Sequence, residues 1–382
     1  MKLVLSNVTV YTPWEGVETA SIEVDDGYIR RVVPGKSSNG EDLEGMLVVP
    51  GFIDTHVHGY AGIDITYADV DELWELARLL PQHGTTAFLP TTLTLPHEVL
   101  LRVCKAVVEA KRLQKEDLKG ARILGLHLEG PYLNTERTGA QNAQWLRHPS
   151  WPEFQEYWRT SEGSIRIVTL APELPGALEF ISRITALGVT VSIGHTQASY
   201  EETKAAIIAG ARRATHTFNA MTPIHHRAPG AAIACLETHD VYLELIFDLV
   251  HVGEPMLRLV WQLAGPERIV AITDAIAAAG LSDGTYFLGG LPIKVGEGIA
   301  RLENGTLAGG TLSLDQAVKN MLKIGIPINE ALAMVSDVPA RSIGQTSLGR
   351  LSPGFPADLV VLDHDLNVKR TYIAGELRFI AD

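Results

Sequence analysis

The sequence predicts an α/β fold, a (β/α)8 TIM barrel with a small discontinuous β-sandwich domain drawn from both termini. Three observations lead there. Eight short apolar runs alternate with helical stretches, which implies parallel pairing and permits the sheet to close on itself. Alternating, turn-rich segments stand at both ends of the chain, outside that series. With 382 residues, 46% of them hydrophobic, the chain exceeds the roughly 250 residues of a plain barrel by enough for an accessory module.

Taken in order, LVLSNVTVYT alternates with period two, and SIEVDDGYIRRVV carries Asp26 and Gly27 between two alternating runs, a hairpin signal. The pattern changes near Leu47 to Pro50, so residues 1–49 are expected to form the first part of the sandwich. Barrel strands are predicted at Phe52–His56, Thr85–Pro90, Arg122–Leu128, Ile165–Leu170, Val189–Gly194, Arg213–His216, Tyr242–Phe247 and Arg268–Thr273. Leu73, Leu76, Ala77 and Leu80 recur at helical spacing over Val70–Gln82, and Tyr200–Ala209 follows the cap candidates Thr196 and Ser199. Residues 280–310 are rich in Gly and carry an Asn304-Gly305 turn, which reads as a hairpin insertion after the eighth strand of a barrel spanning 50–347. Short runs broken by Pro, Gly and Asn over 348–382 complete the sandwich.

A formal charge of −13 argues against nucleic-acid binding, which draws most of its affinity from cationic side chains on phosphates. The same charge opposes an anionic substrate at long range, so a phosphate ester would need a local cationic pocket and backbone N–H groups. Cys104 and Cys235 are the two cysteines, too few for a disulfide framework or a thiolate cluster, and both read as core. The first residues alternate as a strand does, unlike a signal peptide, and no apolar run is long enough to span a bilayer. A soluble, cytoplasmic protein with neither nucleic-acid nor membrane partners is expected.

Each apolar run stops where a group able to bind a metal or a proton begins, as the rim of a catalytic barrel requires. These groups are His56 and His58 in PGFIDTHVHG, Glu129 in LGLHLEGP, His195 in VSIGHT, His216 in ATHTFNAM and Asp274 in IVAITDA. His56 and His58 alternate on one strand, so both rings face the barrel mouth and suit one metal. Glu129 is left at the rim by the strand-stopping Gly130 and Pro131, and a buried carboxylate there needs a cation, either a metal or an arginine. His195 and His216 end neighbouring strands, and with Glu129 they offer two nitrogen ligands and one oxygen, leaving an open position for water as catalytic zinc does. His127 reads either as a further ligand or as a hydrogen-bonded barrel residue. Asp274 reads as a proton acceptor beside the water, or as a helix cap. For the cationic pocket, HHRAPG supplies Arg227 beside His225 and His226, and His251 follows the seventh strand. Asn219, Ala220 and the loop Leu307, Ala308, Gly309 could add contacts.

Taken together, HLEGPYLN, GHTQAS, HTFNAMTPIHHRAPG, TDAIAAAGLSDGTY and LAGGTLSLDQAV resemble the N-acetylglucosamine-6-phosphate deacetylases of the amidohydrolase superfamily, over nearly the whole chain. The resemblance implies a metal-dependent barrel with a small β-sandwich that hydrolyses N-acetylglucosamine 6-phosphate to glucosamine 6-phosphate and acetate. It implies Glu129, His195 and His216 as the main metal ligands and Asp274 as the catalytic aspartate. It also implies substrate contacts from Ala140, Asn219, Ala220, Arg227, His251 and Leu307 to Gly309, with Arg227 and His251 reaching the phosphate of the neighbouring subunit in a homodimer. Two departures stand out. Family members commonly carry a histidine where this chain has Gln141, which can donate through its amide but cannot carry a charge. Some members lack the first-strand pair and use one metal, whereas His56 and His58 allow a second ion bridged by Glu129.

The expected chemistry is therefore attack of a metal-activated water on an acetamide, with Asp274 accepting its proton and passing it to the departing amine. The cofactor is a divalent metal, one or two per chain, with zinc expected and iron, cobalt or manganese also accepted by such ligands. The galactosamine epimer of the substrate, a cyclic-amidase role and a silent sugar-phosphate-binding barrel are the rival readings.

Overall fold

The structure, a computed structural model, describes residues 2–12 and 16–381. Its centre is a run of parallel strands: β1 (Phe52–Val57), β2 (Thr85–Thr92), β3 (Leu126–Glu129), β4 (Ile165–Leu170), β5 (Thr190–Ile193), β6 (Arg213–Ala214), β7 (Tyr242–Ile246) and β8 (Ile269–Ile272). Each pairs with the next in that order. The seam closes through a parallel bridge between Val57 and Ala275 and a hydrogen bond from Asp274 N–H to the His56 carbonyl at 2.9 Å. All residues of β1 and β2 are buried, as expected of strands covered on one face by helices and on the other by the barrel interior.

The helices between strands begin where local chemistry lets them. Tyr200–Ala209 starts at Ser199, whose side chain accepts the Glu202 N–H while the Glu202 carboxylate accepts the Ser199 N–H, a closed capping box. Val70–Leu79 has the same box from Asp69 and Glu72, and it gives way to a 3-10 turn, Leu80–His83, where Pro81 cannot continue the helix.

Five strands are shorter than the periodicity predicts: the fifth and eighth lose one residue at each end, the seventh one at its end, and the third and sixth change more. The third breaks into Arg122–Ile123 and β3, because at Gly125 the chain passes so near β4 that a Cβ would lie 2.3 Å from the Ser164 carbonyl. The sixth ends at Ala214, so His216 stands beyond the ladder in a turn. The predicted hairpin insertion is a three-stranded antiparallel sheet, Gly284–Leu288, Leu291–Gly296 and Ile299–Leu302, turning at Gly289-Gly290 and Glu297-Gly298. The Asn304-Gly305 turn is a further hairpin turn, folding the chain back along Ile299–Leu302 through an antiparallel bridge between Arg301 and Leu307 and hydrogen bonds from Leu302 N–H to the Thr306 carbonyl at 2.8 Å and from Ala308 N–H to the Ala300 carbonyl at 3.0 Å.

Both ends of the chain enter one sheet. Its order runs Glu376–Ile380, Val368–Ile373, Leu359–Leu362, Leu47–Pro50, Lys2–Thr12, Gly16–Asp25, Tyr28–Pro34. The hairpin signal holds: Asp26 and Gly27 both have positive φ, 54° and 78°, the conformation that matches strand twist. Alternation gives the middle of this sheet two apolar faces. Val48, Leu359 and Val361 pack with Leu5 and Ile22 inside the β unit, while Val49, Val360 and Leu362 join the barrel core. Each such side chain stabilises its contact by roughly 1.5–3 kcal/mol relative to exposure, so the β unit is welded to the barrel rather than tethered to it. Among the described residues, no helix is long and apolar enough to cross a membrane.

Candidate active site

The polar groups at the strand ends meet over the barrel mouth. His56 ends the inward face of β1, and His58 follows it in a stretch where the main chain leaves β2, its N–H donating instead to the Ala275 carbonyl at 2.7 Å. Glu129 is the last residue of β3. His195, His216 and Asp274 lie just past their strands with positive φ of 48°, 26° and 50°, conformations that cost of order 1–3 kcal/mol and persist only where the surroundings enforce them. For Asp274 those surroundings are the His56 carbonyl, which accepts its N–H, and Gly310 N–H, which donates to its carbonyl at 2.6 Å.

The side chains form two groups that share Glu129. His195 and His216 place Nε2 at 3.2 and 3.0 Å from Glu129 Oε1 and 3.0 Å from each other. His56 and His58 bring their Nε2 atoms to 3.1 Å, with Asp274 Oδ1 at 3.3 and 3.2 Å and Glu129 Oε2 at 3.4 Å from His58. The far ring nitrogens fix the tautomers. His56 Nδ1 faces the Glu244 carboxylate at 3.0 Å, His58 Nδ1 the Thr91 carbonyl at 3.1 Å and His195 Nδ1 the Arg137 carbonyl at 2.9 Å. These partners only accept, so each Nδ1 carries a proton and each Nε2 is aimed inward, where it offers a lone pair whenever the ring is neutral. Inward lone pairs and two carboxylates in one buried space are a donor set that suits divalent cations.

Burial alone would raise the Glu129 carboxyl, but the charge of His56, the hydrogen bond and charge of His195 and the hydrogen bond with His216 hold it well below the usual range. Asp274 likewise is lowered against its burial, by His56, His58 and His216. Burial pulls the His58 imidazole down, yet hydrogen bonds with Asp274 and Glu129 reverse this and push it up to about 10. Without an ion, protons hold these groups together, so an ion entering here must displace a proton. His127 is different in kind. Burial drives it well below its ordinary value, and it donates or accepts only within the wall, with Thr169 Oγ1 at 2.8 Å and the Thr55 carbonyl at 3.2 Å. Of its two readings, the hydrogen-bonded barrel residue is the one the geometry supports.

A cleft of about 240 Å³ opens over these groups and is lined by His58, Glu129, His195, His216 and Asp274. Of the predicted substrate contacts, Ala140, Gln141, Asn219, Ala220, His251, Leu307 and Gly309 also line it. Ala308 and Arg227 do not. Ala308 is fully buried, and its N–H is taken by the Ala300 carbonyl at 3.0 Å. Arg227 stands exposed on its loop with one guanidinium N–H on His226 Nε2 at 2.8 Å. His251, by contrast, lines the cleft of its own chain, pinned through Nδ1 to Asp248 at 2.6 Å, so its Nε2 is left to act. Gln141 is turned toward Glu129: its Oε1 accepts the Thr94 N–H at 2.6 Å and its Nε2 donates to Glu129 Oε2.

Strand ends alone do not reveal the residues behind these histidines and carboxylates. Glu244 and Arg213 lie inside β7 and β6, pair at 2.7 Å, and are wholly buried. For Glu244 the signal was present as a charge in the middle of an apolar strand, YLELIF, since an isolated buried charge is too costly to be accidental, whereas Arg213 opens its strand beside Arg212 in ARRATH and carried no such signal. Asp248, which orients His251, was missed because its partner was read alone.

A parallel barrel whose strand ends gather histidines and carboxylates around one cleft defines a metal-dependent hydrolase. Residues 47–378 match the amidohydrolase family, and the chain belongs to it. An N-acetylglucosamine-6-phosphate deacetylase of Lysinibacillus sphaericus is 35% identical over 99% of this chain and 98% of its own. An N-acetylgalactosamine-6-phosphate deacetylase of Escherichia coli O157:H7 is 40% identical over 93% of this chain and 94% of its own. Among solved structures, a mutant of the Mycobacterium smegmatis N-acetyl-D-glucosamine-6-phosphate deacetylase, in complex with N-acetyl-D-glucosamine-6-phosphate, superposes with a TM-score of 0.93 at 38% identity over 99% of both chains.

Proposed function

We propose that this chain hydrolyses the acetamide of N-acetyl-D-glucosamine 6-phosphate to D-glucosamine 6-phosphate and acetate, a step of amino-sugar catabolism. The observation that carries the reading is a single cleft lined both by the histidine and carboxylate groups and by His251. Relatives of that name match nearly the full chain, which supports it.

Glu129, His195 and His216 would hold one divalent ion, zinc in our reading, and His56 and His58 a second, with Glu129 between them. When bound, such an ion brings the pKa of a water to about 7 and polarises a carbonyl. Asp274 accepts the proton of the attacking water, and the protonated carboxyl then returns it to the amine nitrogen as the amide bond breaks. Gln141 steadies Glu129 and keeps a second amide N–H for the substrate carbonyl. The Asn219 and Ala220 turn, Ala140 and the Leu307 to Gly309 loop enclose the sugar. His251, oriented by Asp248, receives the phosphate, whose remote binding energy orients the reacting amide. Because Arg227 stands outside its own cleft, we assign it to the phosphate in a partner subunit of a cytoplasmic homodimer. We take 1–49 with 348–382 as the sandwich and 50–347 as the barrel.

The 40% identical relative favours a second reading, the galactosamine epimer. Comparing kcat/KM for the two 6-phosphates decides between them, since a site built to bond one hydroxyl geometry discriminates strongly. We expect the glucosamine epimer to be preferred. A preference for the galactosamine epimer overturns the first reading in favour of the second.

A further inference from the structure

Glu244 lies in the middle of β7 with its side chain inside the barrel, fully buried, below the ligand groups. Its two oxygens serve three donors, one on β1, one on β6 and one in the turn that follows β6. Oε1 accepts Arg213 Nε–H at 2.7 Å, and Oε2 accepts both His56 Nδ1–H at 3.0 Å and the backbone N–H of His216 at 3.1 Å. Its carbonyl accepts the N–H of Thr217 at 2.9 Å. One residue therefore grips the ring of a ligand in the His56, His58, Asp274 group and the main chain of a ligand in the Glu129, His195, His216 group.

Both grips fall where the site is otherwise under-determined. Among the described residues, His216 Nδ1 is buried without a hydrogen-bond partner, so the ring is aimed by a backbone held at a φ of 26°. His56 turns only about bonds that its Nδ1 contact fixes. The charge on Glu244 is itself fixed: Arg213, also fully buried, pairs with it and donates from one terminal nitrogen to Ser342 Oγ and from the other to Thr55 Oγ1. An ion pair serving stability alone would need neither His56 nor His216, and a buried pair is in any case weak evidence for stability.

We infer that Glu244, with its charge held by Arg213, is a positioning residue that sets the tautomer of His56 and the backbone of His216, so that the two halves of the site are aimed at their ions together. The inference rests on reading His56 and His58 as ligands.

Glu244→Gln is the informative change. Arg213 always presents a donor, so the glutamine oxygen must stay at the Oε1 position and its NH₂ must face His56. His56 Nδ1 then accepts, and the ring proton moves to Nε2, where the ion should bind. Titrating metal-free protein with Zn²⁺ should show two ions bound by the wild type and a 10–100-fold weaker affinity at one of them in E244Q. A role confined to stability would lower the melting temperature and leave that affinity unmoved. Should E244Q not fold, Glu244→Asp keeps the charge beside Arg213, draws the oxygens back from His56, and is read in the same way. The wild type also gives a readout that needs no variant: in the zinc-loaded protein, the nitrogen NMR signals of His56 must show the proton on Nδ1. A proton on Nε2, or E244Q binding two ions with undiminished affinity, overturns the inference alone. A wild type that takes up a single Zn²⁺ overturns the ligand reading and the inference with it.

Discussion

Asp274 sits within 3.3 Å of two imidazole nitrogens yet lines the open cleft, which equips one carboxylate both to stay ionised and to meet the substrate. Replacing it with asparagine removes the proton acceptor while Glu129, His195 and His216 keep their ion. We expect kcat to fall by about 10²–10⁴-fold with the ion at those residues retained, as kinetics and metal analysis on the same sample would show. Near-normal turnover would remove the role. His58 supplies a second test, in the metal-free protein, where its imidazole is held up to about 10 against an ordinary 6.5. A raised imidazole stabilises the fold fully below 6.5, and that contribution is lost as pH climbs through 10. In the ion-loaded protein His58 is already deprotonated, so the loss is absent. Melting temperatures of stripped and loaded protein between pH 6.5 and 10 should diverge, and parallel curves would contradict the assignment. His56, His58, Glu129, His195, His216 and Asp274 were legible in the sequence because a polar residue ending an apolar strand has no packing reason to be there. Glu244 and Arg213 were not, because reading strand ends passes over charges within a strand, and only their pairing in space explains how both can be buried.

At the scale of elements, the limits of periodicity are local and physical. Alternation cannot see the close approach at Gly125 that splits the third strand, nor the hydrogen bond from Thr217 N–H to the Glu244 carbonyl that carries the chain past β6. It was also blind to the third strand of the insertion, whose second turn uses Glu297 at a φ of 54°, a residue that carries no turn signature. Where a start is written in side-chain chemistry, the reading was firm. Tyr200–Ala209 follows Ser199, and neither Ser199 nor its box partner Glu202 lines the cleft. Ser199→Ala should therefore lower stability by about 1 kcal/mol in denaturant unfolding and leave kcat unchanged. A loss of activity without a loss of stability would show that this helix does more than support β5 and β6.

At the scale of the whole molecule, the amidohydrolase barrel and the two-faced sheet form one framework, because alternate residues of Leu47–Pro50 and Leu359–Leu362 enter different cores. Composition made the accessory unit legible and gave the sign of the charge problem, but it could not say how an acidic protein grips an anion. In our reading that task falls to His251, held by Asp248 inside the cleft, and to Arg227, exposed outside it. Convergence of distant segments on ions that make water attack an acetamide is the proposal on which the rest depends. It is tested most directly by measuring acetate released from N-acetyl-D-glucosamine 6-phosphate before chelation, after it, and after Zn²⁺ is returned. We predict release that chelation abolishes and the metal restores. A folded, fully metallated protein that frees no acetate from any phosphorylated N-acetyl hexosamine would contradict it.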